Sequence, residues 1–168
     1  SGFSDSSAAL RDLTLKATAS LMEFLTPPNL EKLCRYLVRL QSDPETSLRV
    51  NTVIFFRKLA PYLSETTRQK MLLPALTRAL KDPFAPCRLS SLQSMRLVKE
   101  YFSMTDIAVK VLPAVTPQLL DSTAAVRKEA FSVVDDFLFI LKQESERMKS
   151  LPEPVVEQQQ QQVMPPPT

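Results

Sequence analysis

The chain has 168 residues, of which 44% are hydrophobic and 23% charged, enough apolar side chain for one sizeable core. Its 21 basic and 18 acidic side chains leave a net charge of +3, mild for a dedicated nucleic-acid binder. There is no histidine, and Gly2 is the only glycine. The first absence removes the commonest general base, the Ser/His and Cys/His nucleophile pairs and most catalytic zinc sites. The second argues against phosphate-cradling loops and nucleotide fingerprints. Neither an enzyme nor a cofactor is expected. Cys34 and Cys87 fit no metal-ligand spacing and read as buried small apolar residues carrying free thiols, which suits a reducing compartment. No apolar run is long enough to span a bilayer and no secretory leader is visible, so direct membrane insertion is not expected.

In chain order, Ser1-Gly2 reads as a cleavage remnant, and residues 1–4 form a lead outside the folded unit. A helix is expected over Ser6 to Leu25, then another over Asn29 to Gln41. Asp43 is expected to cap the next helix, with Pro44 at its first turn, where a missing N–H costs nothing. That helix carries Leu48, Thr52, Phe55, Phe56, Leu59 and Leu63 at helical spacing. Pro74 falls inside the following helix and is expected to bend it, or to break it into two shorter ones. Asp82-Pro83 repeats the capping device, and Leu89, Leu92, Met95 and Val98 repeat the apolar face. Pro113 lies inside another first helix. Asp121 precedes a last helix whose expected buried face is Val126, Ala130, Phe131, Val134 and Leu138. No segment alternates with period two, so no strand is expected.

The alignment of these elements carries the argument. Asp5, Asp43, Asp82 and Asp121 are spaced by 38, 39 and 39 residues, and an arginine lies six residues after each: Arg11, Arg49, Arg88 and Arg127. Leu10, Leu48, Cys87 and Val126 stand just before the arginines. Pro74 and Pro113 each lie eight residues before an aspartate. This Pro-x7-Asp-x5-Arg pattern resembles the HEAT repeat. It implies an all-α fold, an α-solenoid of about three and a half HEAT-like helix pairs over residues 5–149, in which stacked pairs bury what one pair cannot.

Recurring charges invite a catalytic reading, but acid–base work needs a shared cleft rather than a regular row. Asp43, Arg49, Asp82, Arg88, Asp121 and Arg127 are instead expected to form a structural ladder, each arginine reaching the aspartate of its own or the next unit. A second row, fourteen residues after the aspartates, holds Arg57, Arg96 and Asp135. With Lys58, Lys99, Lys128 and Asp136 it reads as a basic strip turning acidic, placed on the concave face if second helices line it. Arg57, Lys58, Arg96, Lys99 and Lys128 are the candidate partner-binding residues, for an acidic peptide, an acidic protein patch or RNA phosphate. Arg68, Lys70, Arg78 and Lys81 fall on a first helix, toward the convex side. Residues 150–168, with Gln158 to Gln162 and Pro165 to Pro167, form a low-complexity tail that reads as a linker or as a proline-rich ligand.

Specific runs also resemble a known family. They are Arg49-Val50-Asn51-Thr52, Lys58-Leu59-Ala60-Pro61-Tyr62-Leu63-Ser64, Thr67-Arg68-Gln69-Lys70, and the segment from Arg78 to Arg88. Tyr101-Phe102-Ser103-Met104, then Asp106, Ala108, Lys110 and Leu112-Pro113, and Val126 to Phe131 continue the match. Over roughly residues 30 to 140 these resemble the HEAT region of the SCY-like pseudokinases, departing at Arg57, where relatives tend to carry glycine. The resemblance implies a non-catalytic scaffold in a longer protein with a kinase-like domain. It implies a cytoplasmic location with peripheral Golgi or endosomal association, and coat components such as coatomer as partners in vesicle traffic. Some relatives serve nuclear tRNA export, which implies a tRNA-associated adaptor as the alternative. Self-association through apolar solenoid ends is a third expectation.

Overall fold

The computed structural model describes residues 2–150, and every regular element among them is helical. A 3-10 turn at Gly2–Ser4 precedes α1 (Ala8–Ala19), and a second at Met22–Phe24 follows it. The helix expected over Ser6 to Leu25 therefore ends early. α2 (Pro27–Leu40) starts with proline in its first turn and buries Leu30, Leu33, Cys34, Leu37 and Leu40, one helical stripe. α3 (Thr46–Leu59) is its antiparallel partner.

The next first helix is composite: α4 (Glu65–Thr67), a π turn at Arg68–Leu72, and α5 (Leu73–Ala79). α6 (Ala85–Leu97) pairs with it. The third unit repeats the design with α7 (Met104–Asp106), a π turn at Ile107–Val111, α8 (Leu112–Val115) and a 3-10 turn at Thr116–Leu120. α9 (Ala124–Lys149) closes the array.

Both π turns end just before the helix in which a proline, Pro74 or Pro113, is the second residue. A proline ring collides with the carbonyl four residues earlier and donates no N–H. Widening the turn before it lets the helix continue through the proline. In these two units a π turn stands where the sequence reading expects a bend or a break. Ser64 and Ser103, also 39 residues apart, start these first helices. Their hydroxyls accept the N–H of Thr67 (3.2 Å) and Asp106 (3.0 Å).

The second helices pack in order, α1 on α3, α3 on α6 and α6 on α9, while α5 and α8 cover them from one side. The core is continuous through the stack: Leu37, Leu48, Phe56, Leu59, Leu76, Leu92, Met95 and Phe137 are all fully buried. Burying each such side chain contributes about 1.5–3 kcal/mol. Cys34 and Cys87 are buried and unpaired. Desolvation pushes their thiols up, to about 11 and about 12.

Two sequence expectations need correcting. Asp43 and Asp82 do not cap helices. The N-caps are Glu45 and Phe84, with extended backbones and no side-chain cap. The aspartates sit two residues earlier and close Asx turns, accepting the N–H of Glu45 (2.9 Å) and Phe84 (2.8 Å). On α9 the buried stripe is Val126, Ala130, Val133 and Phe137, whereas Phe131 and Leu138 are exposed. Phe131 lies one repeat after Leu92 and two after Val53, which the following unit buries. Among the described residues no helix packs beyond α9. The glutamine and proline runs of the tail lie outside the described residues.

Candidate functional site

Three rungs join consecutive units. Arg11 donates through Nε (2.7 Å) and Nη2 (2.9 Å) to the Asp43 carboxylate. Arg49 does the same to Asp82 at 2.7 and 3.0 Å, and Arg88 to Asp121 at 2.6 and 2.9 Å. In every case Nη1 turns back to the carbonyl of its own unit's aspartate: Asp5, Asp43 and Asp82, at 2.8–2.9 Å. Each arginine thus grips its own turn with one nitrogen and the next unit's carboxylate with two. The planar fork fixes orientation as well as distance. Arg127 makes the first half of this arrangement, donating to Asp121 O at 2.7 Å.

The carboxylates respond accordingly. Burial alone would raise the Asp43 carboxyl, but the Arg11 hydrogen bonds, the Glu45 N–H and the charge of Arg49 outweigh it and hold it below its usual range. Asp82 is held low in the same way by Arg49 and the Phe84 N–H against its own burial. For Asp121 the Arg88 hydrogen bonds are the leading cause. All three stay ionised at neutral pH, which suits a fastener and not a proton-transfer group.

The second row is partly neutralised. Arg57, Arg96 and Lys99 line one groove of about 550 Å³, together with Glu100, Glu129 and Asp136. Arg96 is held by Glu129 and Asp136, each at 3.0 Å, and Lys99 approaches Asp136 at 3.5 Å. Arg96 and Lys99 therefore serve α6–α9 contact before any partner. One repeat earlier, the positions of Glu129 and Asp136 are occupied by Ser90 and Leu97, so Arg57 lacks the two carboxylates that hold Arg96. Arg57, Lys58 and Lys128 make no ion pair among the described residues.

Sequence reasoning missed a contact on the other edge. Arg68, in the first π turn, donates through Nε to Ala60 O at 2.8 Å and lays its guanidinium 4.0 Å above the Tyr101 ring. This cation–π contact ties the inter-unit loops together. Among the described residues no group of three His, Cys, Asp or Glu side chains is placed to hold a metal ion, and no helix is long and apolar enough to cross a membrane.

Repeated helix pairs, bidentate rungs and a core shared between neighbours define a HEAT-type α-solenoid. Residues 9–164 match the family model Cnd1, non-SMC mitotic condensation complex subunit 1, and the chain belongs to that family. It is 31% identical over 78 residues to the probable inactive serine/threonine-protein kinase scy1 of Dictyostelium discoideum, covering 46% of this chain and 10% of that protein. The crystal structure of Cex1p is similar with a TM-score of 0.80 and 34% identity, over 86% of this chain and 28% of that one. The chain thus spans well under a third of either relative.

Proposed function

We propose that the chain is the helical-repeat portion of a SCY-like pseudokinase and acts as a non-catalytic adaptor for other proteins in Golgi and endosomal vesicle traffic, with coat components such as coatomer as its partners. The solenoid unit is residues 5–149, followed by the Gln/Pro-rich tail. The observation that carries the helical-repeat part of this reading is the likeness to Cex1p, which holds over 86% of the chain at 34% identity. The match to a probable inactive kinase named scy1 supports the pseudokinase part. The candidate contact residues are those the ladder leaves free: Arg57, Lys58 and Lys128, with Arg96 and Lys99 in a supporting place.

The test is a quantitative pull-down from lysate with the chain and its Arg57→Glu/Lys58→Glu variant as baits. Enrichment of coat subunits that the variant loses is the expected result. Retention of no coat component by either bait, nor by the full-length protein, overturns the adaptor role. The unpaired cations Arg57 and Lys58 favour a second reading, a tRNA-associated adaptor. That reading predicts tRNA in the same eluate, with binding that weakens as salt rises.

A further inference from the structure

The first-helix layer carries a groove that the second-row argument does not use. It lies between α5 and the α8 segment and encloses about 790 Å³. Leu73, Pro74, Pro113 and Ala114 give it an apolar floor, and Gln69 and Gln118 place amides along it. Its charged lining is Arg78, Lys81 and Lys110, with no carboxylate. Lys110 is paired to Asp106 at 2.7 Å, and Arg78 spends Nη1 on Gln41 Oε1 at 3.0 Å. Lys81 makes no ion pair among the described residues, and most of the Arg78 guanidinium remains open. A neighbouring groove between α2 and α5 shares Pro74 and Arg78 and adds Arg35, Arg39 and Lys70, again without an acid. The positive charge that the second-helix face loses to Glu129 and Asp136 is therefore retained here.

We infer that this first-helix groove docks an extended acidic peptide, which lays leucine or proline side chains on the apolar floor and sets carboxylates against Arg78 and Lys81. Charge complementarity selects the acid, and the floor selects the apolar residues between. The two glutamine amides give the peptide backbone donors and acceptors. A nucleic acid fits less well. Helices packed at about 8–10 Å between axes leave a cleft far narrower than a duplex. Neither groove is lined by an aromatic ring on which single-stranded bases stack. The prolines contribute shape: the π turns that accommodate Pro74 and Pro113 belong to the same two helices that form the walls. The inference stands whether or not the chain belongs to a pseudokinase.

The experiment is fluorescence anisotropy on the full chain with a fluorescein-labelled peptide of repeating Glu-Leu-Asp-Pro, at low and near-physiological salt. Saturable binding that weakens with salt is expected. Arg78→Glu/Lys81→Glu, with circular dichroism matching the parent, is expected to weaken it at least about tenfold, equal to about 1.4 kcal/mol. Thr77→Trp, which fills the groove without changing charge, is expected to weaken it several-fold, and Lys142→Glu, on the exposed face of α9, to leave it unchanged. No saturable binding at low salt, equal loss with Lys142→Glu, or indifference to Thr77→Trp overturns the assignment. Tighter binding of labelled oligouridine than of the peptide also overturns it.

Discussion

The rung between the α2–α3 unit and the α4–α6 unit offers the sharpest perturbation. Arg49 donates twice to Asp82 and, through Nη1, to the carbonyls of Asp43 (2.9 Å) and Pro44 (3.4 Å). Arg49→Met keeps most of the stem and deletes all of these bonds. The Asp82 side chain, 8% exposed, is then left with the Phe84 N–H as its nearest strong donor. Stranding one partner of a buried ion pair costs about 3–5 kcal/mol. Arg49 keeps 12% of its side-chain surface, so water reaches the rim and the lower end, about 3 kcal/mol, is expected. At about 2–4 °C per kcal/mol for a chain of this length, Tm falls by about 6–12 °C. Urea unfolding followed by circular dichroism measures the same loss independently. The double variant Arg49→Met/Asp82→Leu removes the stranded charge and is expected to recover most of it, since an apolar pair of similar volume replaces a buried ion pair at little cost. A single variant within about 0.5 kcal/mol of the parent would refute the reasoning. So would a double variant as unstable as the single.

Further outcomes follow from the same geometry. The ladder carboxyls of Asp43, Asp82 and Asp121 are held below their unfolded values, so their contribution is fully present above about pH 4 and is lost as pH falls through the depressed folded values. Stability measured by urea unfolding is expected to stay level from pH 7 to about 5 and then fall, with a shallower acid limb in Arg49→Met, where Asp82 is no longer held low and protonation relieves its stranded charge. With thiols pushed up to about 11 and about 12 in buried sites, Cys34 and Cys87 are expected to react with Ellman's reagent at pH 8 only as fast as the chain opens. A fast phase in the folded chain contradicts that. Phe137→Ala is expected to cost about 3–5 kcal/mol, and Phe131→Ser less than about 0.5, although both lie on α9. Thermal melts that reverse this order would place the α9 core stripe wrongly.

How far the sequence carried these conclusions depends on the kind of interaction. The ladder was legible because a stacked repeat must return an arginine and an aspartate to the same place in each unit, and a period of 39 residues records that. Which aspartate each arginine reaches was not legible, since both neighbours lie at plausible reach until the helices are oriented. The capping role assigned to Asp43 and Asp82 failed by two residues because an Asx turn and a cap use the same side chain on the same kind of donor. Phe131 and Leu138 were misplaced for a different reason. Helical spacing shows which residues share a face, but burial of that face depends on a neighbour that the spacing does not report. The partial neutralisation of Arg96 was hidden because Glu129 and Asp136 lie 33 and 40 residues away, on a helix whose rotation only the packing sets. The π turns left no separate signal beyond the prolines that require them.

The rungs recur at the turns where each first helix passes into its second. At the other ends of the helices the links differ from unit to unit: Arg68 holds Ala60 O and Tyr101, while Arg96 and Lys99 hold Glu129 and Asp136. One end of the stack is thus held by a repeated fastener and the other by local ones. A lost rung is therefore expected to loosen a single junction between two units and leave the others in place.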